Sequence, residues 1–449
     1  MSAPHLDHPF SGAFPELVHA AQAEEQPDPQ LLLLNESHAR ELGLDPDWLR
    51  SPDGVSFLLG HGGGPTVAMG YAGHQFGQLS PRLGDGRALL LGETAGREIH
   101  TKGTGPTVFS RGGDGRGALG PMLREYLVSE AMHALGVPTT RGLAVLSTGR
   151  RIQRTGVVPG AVLVRTAASH LRIGTVQYAR LLGVDGLVER LCTYARKRHY
   201  PEASTHEGFF RAVMAAQSAT VAQWMRLGFI HGVMNTDNTT LSGETIDYGP
   251  CAFLDRYDPA MFFSSIDRHG RYAFRNQPAI LGWNLARLAE AMLPLFDADE
   301  NAAVDKAQGA MNDFPGVWEQ AQQRELARAL GTADTGIGQR WLQLLAEHAP
   351  DLTTANRLLV DDPGALAEIV GSEWVADWQS LDPEVPAHPH HIPRNHLLHE
   401  ALRDAESGDL GPYLDLLAVV TDPFTDHGPA YRGPAPEGFD ESFRTFCGT

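Results

Sequence analysis

A chain of 449 residues is longer than one ordinary hydrophobic core organises, so two packed lobes are expected. Its 42% hydrophobic and 20% charged residues exclude disordered and fibrous classes, and no apolar run reaches bilayer length, which argues against a membrane partner. With 36 basic against 54 acidic residues, a formal charge of −18 and no Lys/Arg run, the surface argues against nucleic acid.

The N-terminus, MSAPHLDHPFSG, lacks the basic and apolar regions of a secretory signal. Three cysteines (Cys192, Cys251, Cys447) are too few for a disulfide framework and lack metal-ligand spacing, so a cytoplasmic location is the expectation. A Pro-rich entry segment carries one short helix, Glu36–Leu42, stopped by Gly43. Arg87–Glu93 reads as a buried strand and Arg97–Lys102 as an alternating one, followed by a glycine-rich loop from Gly103 to Gly120. Pro121 suits the first turn of a helix over Met122–Leu135, ended by Gly136. Gly142–Leu146 and Gly160–Val164 read as further strands. The pattern then turns helical: Glu207–Leu227, Asn284–Leu295, Val317–Leu330, Arg340–His348 and His396–Asp404, with an irregular tail from Thr421. Strands first and helices second give an α+β chain. Residues 1–150 form an N-terminal extension and strand-rich N-lobe, 151–420 a helical C-lobe with the metal-binding loop, and 421–449 a C-terminal tail.

The chemistry concentrates in His231-Gly232-Val233-Met234-Asn235-Thr236-Asp237-Asn238, followed by a hairpin turn at Ser242-Gly243-Glu244 and then Asp247-Tyr248-Gly249. A loop ending in Asn, a hairpin and Asp-aromatic-Gly is the layout by which kinase-like enzymes hold Mg²⁺ against nucleotide phosphates. Hard oxygens from Asn238 and Asp247 suit that ion. Small-molecule kinases of this fold carry an Asp base where Val233 stands, and valine accepts no proton; Asp237 is the carboxylate left on the loop. Conventional phosphotransfer is thereby disfavoured while nucleotide and metal binding are retained. A polar capping turn is the competing reading of Asp237 and Asn238 taken alone.

Lys102, at a strand end, and Glu125, on the next helix, have the order of the ion pair that aims a lysine at phosphates, with Glu130 a rival partner on the same helix. Gly84-Asp85-Gly86-Arg87 and Arg111-Gly112-Gly113-Asp114-Gly115-Arg116 offer backbone N–H groups and arginine forks to phosphate, although neither is a Walker loop and each alone is more often a tight turn. Arg165 and Arg172 flank Ser169-His170 at a strand-to-helix junction and could clamp a triphosphate, with surface salt bridging the competing reading.

Together these segments resemble the selenoprotein O family of adenylylating pseudokinases. The resemblance lies in Tyr71–Arg87, Thr101–Arg116, Leu123–Leu146, Gly160–Gly174, His231–Asp255 and Arg271–Ala289, and extends through Ile392–Leu402 towards Cys447. It implies a bilobal protein-kinase-like fold in which ATP lies reversed, so that AMP passes to Ser, Thr or Tyr hydroxyls of partner proteins and pyrophosphate leaves. It further implies that Lys102, paired with Glu125, holds phosphates and that Gly84, Gly86, Arg87, Asp114 and Gly115 line the nucleotide site. Arg165 and Arg172 would grip the far phosphates, Asn238 and Asp247 bind Mg²⁺ or Mn²⁺, and Asp237 accept the proton. UMP transfer with Mn²⁺, a silent nucleotide-binding signalling module and an atypical kinase are the alternatives.

In some members of that family the near-terminal residue resembles half of a redox link to a cysteine after the Asp-Tyr-Gly motif. The aligned position here is Phe263; Cys251 is a substitute partner for Cys447, and two unrelated cysteines is the preferred reading. The His-rich stretch Ala387–His399 is interrupted by Pro389 and Pro393 and reads as a polar loop entering a helix, not a zinc site.

Overall fold

The computed structural model describes residues 4–446 apart from 155. Ten strands precede residue 168: β1 (Val18–Ala20), β2 (Gln30–Leu34), β3 (Val67–Met69), β4 (Gly73–Gln75), β5 (Gln78–Ser80), β6 (Ala88–Thr94), β7 (Arg97–Lys102), β8 (Gly117–Ala118), β9 (Arg141–Gln153) and β10 (Val157–Ala167). Eight of them make one antiparallel sheet in the order β1-β3-β6-β7-β10-β9-β2, with β8 against β10; β4 and β5 form a separate hairpin. The last long strand ends at Ala167, beyond the 150/151 division expected from sequence.

Both faces of this sheet are covered, which explains why its central strands read as unbroken apolar runs. Leu89, Leu91, Ile99, Leu143, Val162 and Val164 join Trp48, Phe57 and Leu58 of the N-terminal segment in one cluster. The alternating residues Leu90, Val145 and Leu163 join the opposite cluster with Leu123, Leu127 and Met132. Those last three lie on the helix Leu119–Ala134, whose turns are buried nearly all round.

Beyond Ala167 the chain is helical. The helix His206–Leu227 is framed by a Thr205 side chain that accepts from the Gly208 N–H and by Gly228 in the left-handed conformation. Gln277–Phe296, Phe314–Leu330, Thr335–His348 and Asn395–Ser407 contain the four other expected helices and begin one to seven residues earlier. Helices Ile173–Leu182, Leu187–His199 and Leu352–Asp361 were not read from the pattern. A separate apolar cluster around Trp341, Trp374 and Trp378 packs the distal helices. Among the described residues from Asp422 onward, the tail holds two short helical turns, Pro429–Tyr431 and Phe439–Ser442.

One expectation needs correction. Ser242-Gly243-Glu244 does not turn a strand hairpin: Thr245 bridges in parallel to Thr139, and Thr240 bridges to Arg172. The backbone bonds of this stretch go outward, Thr245 N–H to the Pro138 carbonyl at 2.9 Å and Thr140 N–H to the Thr245 carbonyl at 3.0 Å. The segment before Asp247 is thus laced to the turn that follows the Leu119–Ala134 helix, and it sets where Asp247 emerges.

Candidate active site

A cavity of about 700 Å³ opens where the sheet meets the helical half, within the size range of small-molecule sites. From the sheet side come Gly84, Gly86, Arg87 and Lys102, with Asp114 and Gly115 from the glycine-rich loop. Arg165 and Arg172 enter from the end of β10 and the turn after it, and Asp237, Asn238 and Asp247 face them from the helical side. Gly84 and Asp247, 163 positions apart in the chain, therefore converge on one space.

Lys102 ends β7 with its ammonium 2.5 Å from Glu125 Oε2 and 2.8 Å from Asp247 Oδ1. Glu125 lies beneath the cavity wall and spends its other oxygen on Arg165 at 2.6 Å. Burial raises the cost of both carboxylates, but Lys102 and Arg165 overcome it and hold each below its ordinary range, so both stay ionised. The rival Glu130 is committed elsewhere: it takes both forks of Arg141, at 2.9 and 2.8 Å, and the Gly142 N–H.

A second polar chain escaped the sequence reading. Asp85, between the two singled-out glycines, accepts from the Met69 N–H at 3.0 Å and stands 3.0 Å from His100 Nε2, while Arg165 donates to His100 Nδ1 at 3.3 Å. Burial pushes the Asp85 carboxyl up, and His100 and Arg172 more than reverse it. Arg172 lies with its guanidinium carbon 4.1 Å from the centre of the Tyr71 ring, and its buried Nε has no partner among the described residues. The one available clue was position: Asp85 interrupts a Gly-x-Gly, and His100 alternates inward beside Lys102.

The loop bearing Asp237 is fixed from behind. His231 Nε2 lies 2.9 Å from the Ile246 carbonyl, and Asn284 Nδ2 donates to the Met234 carbonyl at 3.0 Å. Asn238 spends its Nδ2 on the Val233 carbonyl at 3.0 Å, a bond that does not use its Oδ1. Asp237 Oδ2 accepts from Gln75 at 3.3 Å, whereas its Oδ1 is buried and unpartnered among the described residues. Burial pushes the Asp237 carboxyl up to about 6, against its own backbone N–H and Arg172. Asp247 occupies the left-handed region, φ 67°, at a cost of about 1 kcal/mol for a residue with a side chain.

The glycine-rich loop is pinned at its base: Arg154 grips both Asp114 oxygens at 3.0 Å, and Arg116 reaches Glu24 at 2.9 Å. Gly84, φ +95°, has no room for a Cβ because the Phe109 ring packs on it.

Of the remaining sequence features, Cys251 is buried with its Sγ 3.0 Å from the Tyr248 carbonyl, and burial pushes its thiol up to about 12. Cys447 lies outside the described residues. Phe263 is buried in an apolar cluster, and its carbonyl accepts from the Thr445 N–H at 2.9 Å. In the His-rich stretch, His388 Nε2 is 2.9 Å from the Ala329 carbonyl and His391 Nε2 accepts from the His427 N–H at 2.9 Å. The adjoining Arg394 and Asn395 instead clamp the chain beyond Asp247. Arg394 reaches Asp255 at 2.5 Å and Asp351 at 2.6 Å, and Asn395 makes two bonds to the Phe253 backbone, at 3.1 and 2.8 Å.

Buried arginines and a lysine around one cavity, facing an orphaned carboxylate oxygen, define a group-transfer enzyme for a polyanionic substrate. Residues 10–364 match the family described as protein adenylyltransferase SelO. The chain is 53% identical to a protein nucleotidyltransferase YdiU of Corynebacterium efficiens, over 100% of this chain and 97% of that protein. It is 50% identical to the protein of the same name in Corynebacterium glutamicum, over 99% and 98% of the two chains. With that of Mycolicibacterium smegmatis it shares 49% identity over 98% and 97%. The chain belongs to the SelO family and is a nucleotidyltransferase.

Proposed function

We propose that the chain transfers AMP from ATP to Ser, Thr or Tyr hydroxyls of proteins, releasing pyrophosphate, in a kinase-like cleft that holds the nucleotide reversed. The observation that carries this reading is Asp237. Its Oδ1 is buried, unpartnered and on the cavity wall, while Val233 stands on the same wall where a kinase's base would be. In the proposed step the acceptor hydroxyl gives its proton to Asp237, its oxygen bonds to the α-phosphorus, and the bond from that phosphorus to the β-phosphate bridge breaks. Lys102, Arg165 and Arg172 take the charge of the departing pyrophosphate; Gly84, Gly86, Arg87, Asp114 and Gly115 frame the nucleotide. Asn238 and Asp247 would hold Mg²⁺, or Mn²⁺, because an amide oxygen and a carboxylate suit a hard cation. When bound, the ion neutralises phosphate charge.

In this reading the sheet half is the N-lobe, the helices the C-lobe and the last residues a tail, and the enzyme works in the cytoplasm. No helix of the described residues is long and apolar enough to cross a membrane. The relatives' names say nucleotidyl without specifying the base, so UMP transfer is the second reading. The test uses ATP labelled on the α- or γ-phosphate and α-labelled UTP, with Mg²⁺ or Mn²⁺ and with Asp247→Ala as control. Protein-bound label from α-labelled ATP, absent with Asp247→Ala, is expected. Label from the γ-phosphate alone would make the chain a kinase and overturn the proposal.

A further inference from the structure

The β4–β5 hairpin is bolted to the loop that carries Asp237. The His74 N–H donates to Thr236 Oγ1 at 2.8 Å, Gln75 to Asp237 at 3.3 Å, and the Phe76 N–H to Asn235 Oδ1 at 3.3 Å and the Tyr272 hydroxyl at 3.2 Å. At its tip Phe76, φ 52°, turns outward. Phe76 and Ile266 line the nucleotide cavity and also a second, open groove of about 560 Å³. The groove thus adjoins the cavity that holds Asp237 at Phe76 and Ile266, and lies between the hairpin and the stretch from Ile266 to Ile280.

Two features mark what this groove would hold. Its apolar side chains are unusually open: Phe76 is 36% and Ile266 51% exposed. Its charge runs against that of the whole chain. Arg268 is exposed, and the Arg271 guanidinium carbon stands 5.1 Å from the centre of the Trp283 ring and 5.7 Å from that of Tyr272. Neither side chain forms an ion pair among the described residues, whereas Arg287, also over the Trp283 ring, is paired with Glu290. Asp267, between them and Ile266, is buried and spends its two oxygens on the Arg271 and Tyr272 N–H groups at 2.9 and 2.8 Å. On a chain of formal charge −18, two arginine side chains without an ion pair among the described residues, one of them packed against aromatic rings, offer their guanidinium forks to a carboxylate.

We propose that this groove seats the acceptor polypeptide: an extended segment whose modified hydroxyl is flanked by an apolar side chain, on Phe76 and Ile266, and by an acidic one, on Arg268 and Arg271. The inference rests on the transfer reading above and names the class of segment that it serves. It is tested with two synthetic peptide pools, each presenting Ser, Thr or Tyr beside a leucine, flanked by glutamates in one pool and by lysines in the other. Incorporation from α-labelled ATP and UTP is followed for the unaltered enzyme and for Arg268→Glu, with the KM for nucleotide measured alongside.

The expected result is a KM about tenfold lower for the glutamate pool, the discrimination one well-seated arginine–carboxylate contact supplies. Arg268→Glu should erase or invert that preference and leave the nucleotide KM unchanged. Equal use of both pools by the unaltered enzyme overturns the groove assignment, as does an equal loss on both pools in Arg268→Glu; nucleotidyl transfer survives either result. Labelling of neither pool with either nucleotide overturns the transfer reading and the groove with it.

Discussion

The carboxylate of Asp237 fills the space that a side chain on Gly73 would need. An added Cβ at Gly73 would overlap Asp237 Oδ1 and the Leu83 side chain. Gly73→Ala is therefore expected to displace the buried Asp237 Oδ1 and to lower kcat by about 10²-fold, with a smaller change in nucleotide KM. Steady-state kinetics on a variant whose melting temperature is unchanged checks this. An unaltered kcat would show that Asp237 does not act from this position.

The two glutamates of the Leu119–Ala134 helix have different tasks. Glu125→Gln removes the partner of Lys102 and Arg165 at the cavity and should raise the nucleotide KM about tenfold. Glu130→Gln breaks the buried pair with Arg141, costing roughly 3 kcal/mol of stability, and leaves the nucleotide KM alone. Urea unfolding and nucleotide titration on both variants separate the two effects.

Arg394 sits 139 residues from Asp255 in sequence and touches no part of the cavity, yet it ties down the chain that follows Asp247. Arg394→Ala leaves Asp255 and Asp351 without their cation, a loss on the order of 3–5 kcal/mol when a buried pair is broken. A strongly lowered urea midpoint is the expected readout.

Glu98 supplies a pH signature independent of nucleotide. Burial, opposed by Arg198 and the His170 N–H, pushes its carboxyl up to about 7 in the folded chain. A carboxyl raised on folding binds a proton more tightly when folded, so its contribution favours the fold below the unfolded value of about 4.5 and is lost as pH climbs to about 7. Glu98→Gln carries no such charge. The unaltered protein should lose stability relative to Glu98→Gln between pH 5 and about 8, by an amount on the order of a few kcal/mol. Parallel curves for the two proteins across that range would contradict it.

The sequence was legible where local pattern and site coincide. Strands over Arg87–Glu93 and Arg97–Lys102 stand out because a sheet covered on both faces needs nearly continuous apolar runs. The cavity residues stand out because glycine, arginine and acidic residues seldom crowd into apolar surroundings. The polar links at long sequence separation stayed hidden. Nothing in GDGR says that Asp85 meets His100, and nothing in IPRNH says that Arg394 reaches Asp255. Such pairs carry no periodicity, so only the folded chain reveals them. The helix Ile173–Leu182 was missed for a related reason: it is buried on most of its turns and has no clear polar face to mark a period. The expected hairpin at Ser242–Glu244 failed because turn residues specify a reversal of direction and not which neighbour takes up the backbone bonds.

The bonds from His74, Gln75 and Phe76 to Asn235, Thr236 and Asp237 make the hairpin and the Asp237 loop one mechanical piece. If Asp237 takes the proton and the hairpin seats the acceptor as proposed, changes at the hairpin tip alter reactivity along with acceptor choice, and a lineage could not retune one without disturbing the other. Across the groove, the exposed Ile266 and Arg268 side chains carry no bond to Asp237 among the described residues and are free to vary. Divergence in what the enzyme modifies should accumulate there, while the hairpin stays constrained by the chemistry it supports.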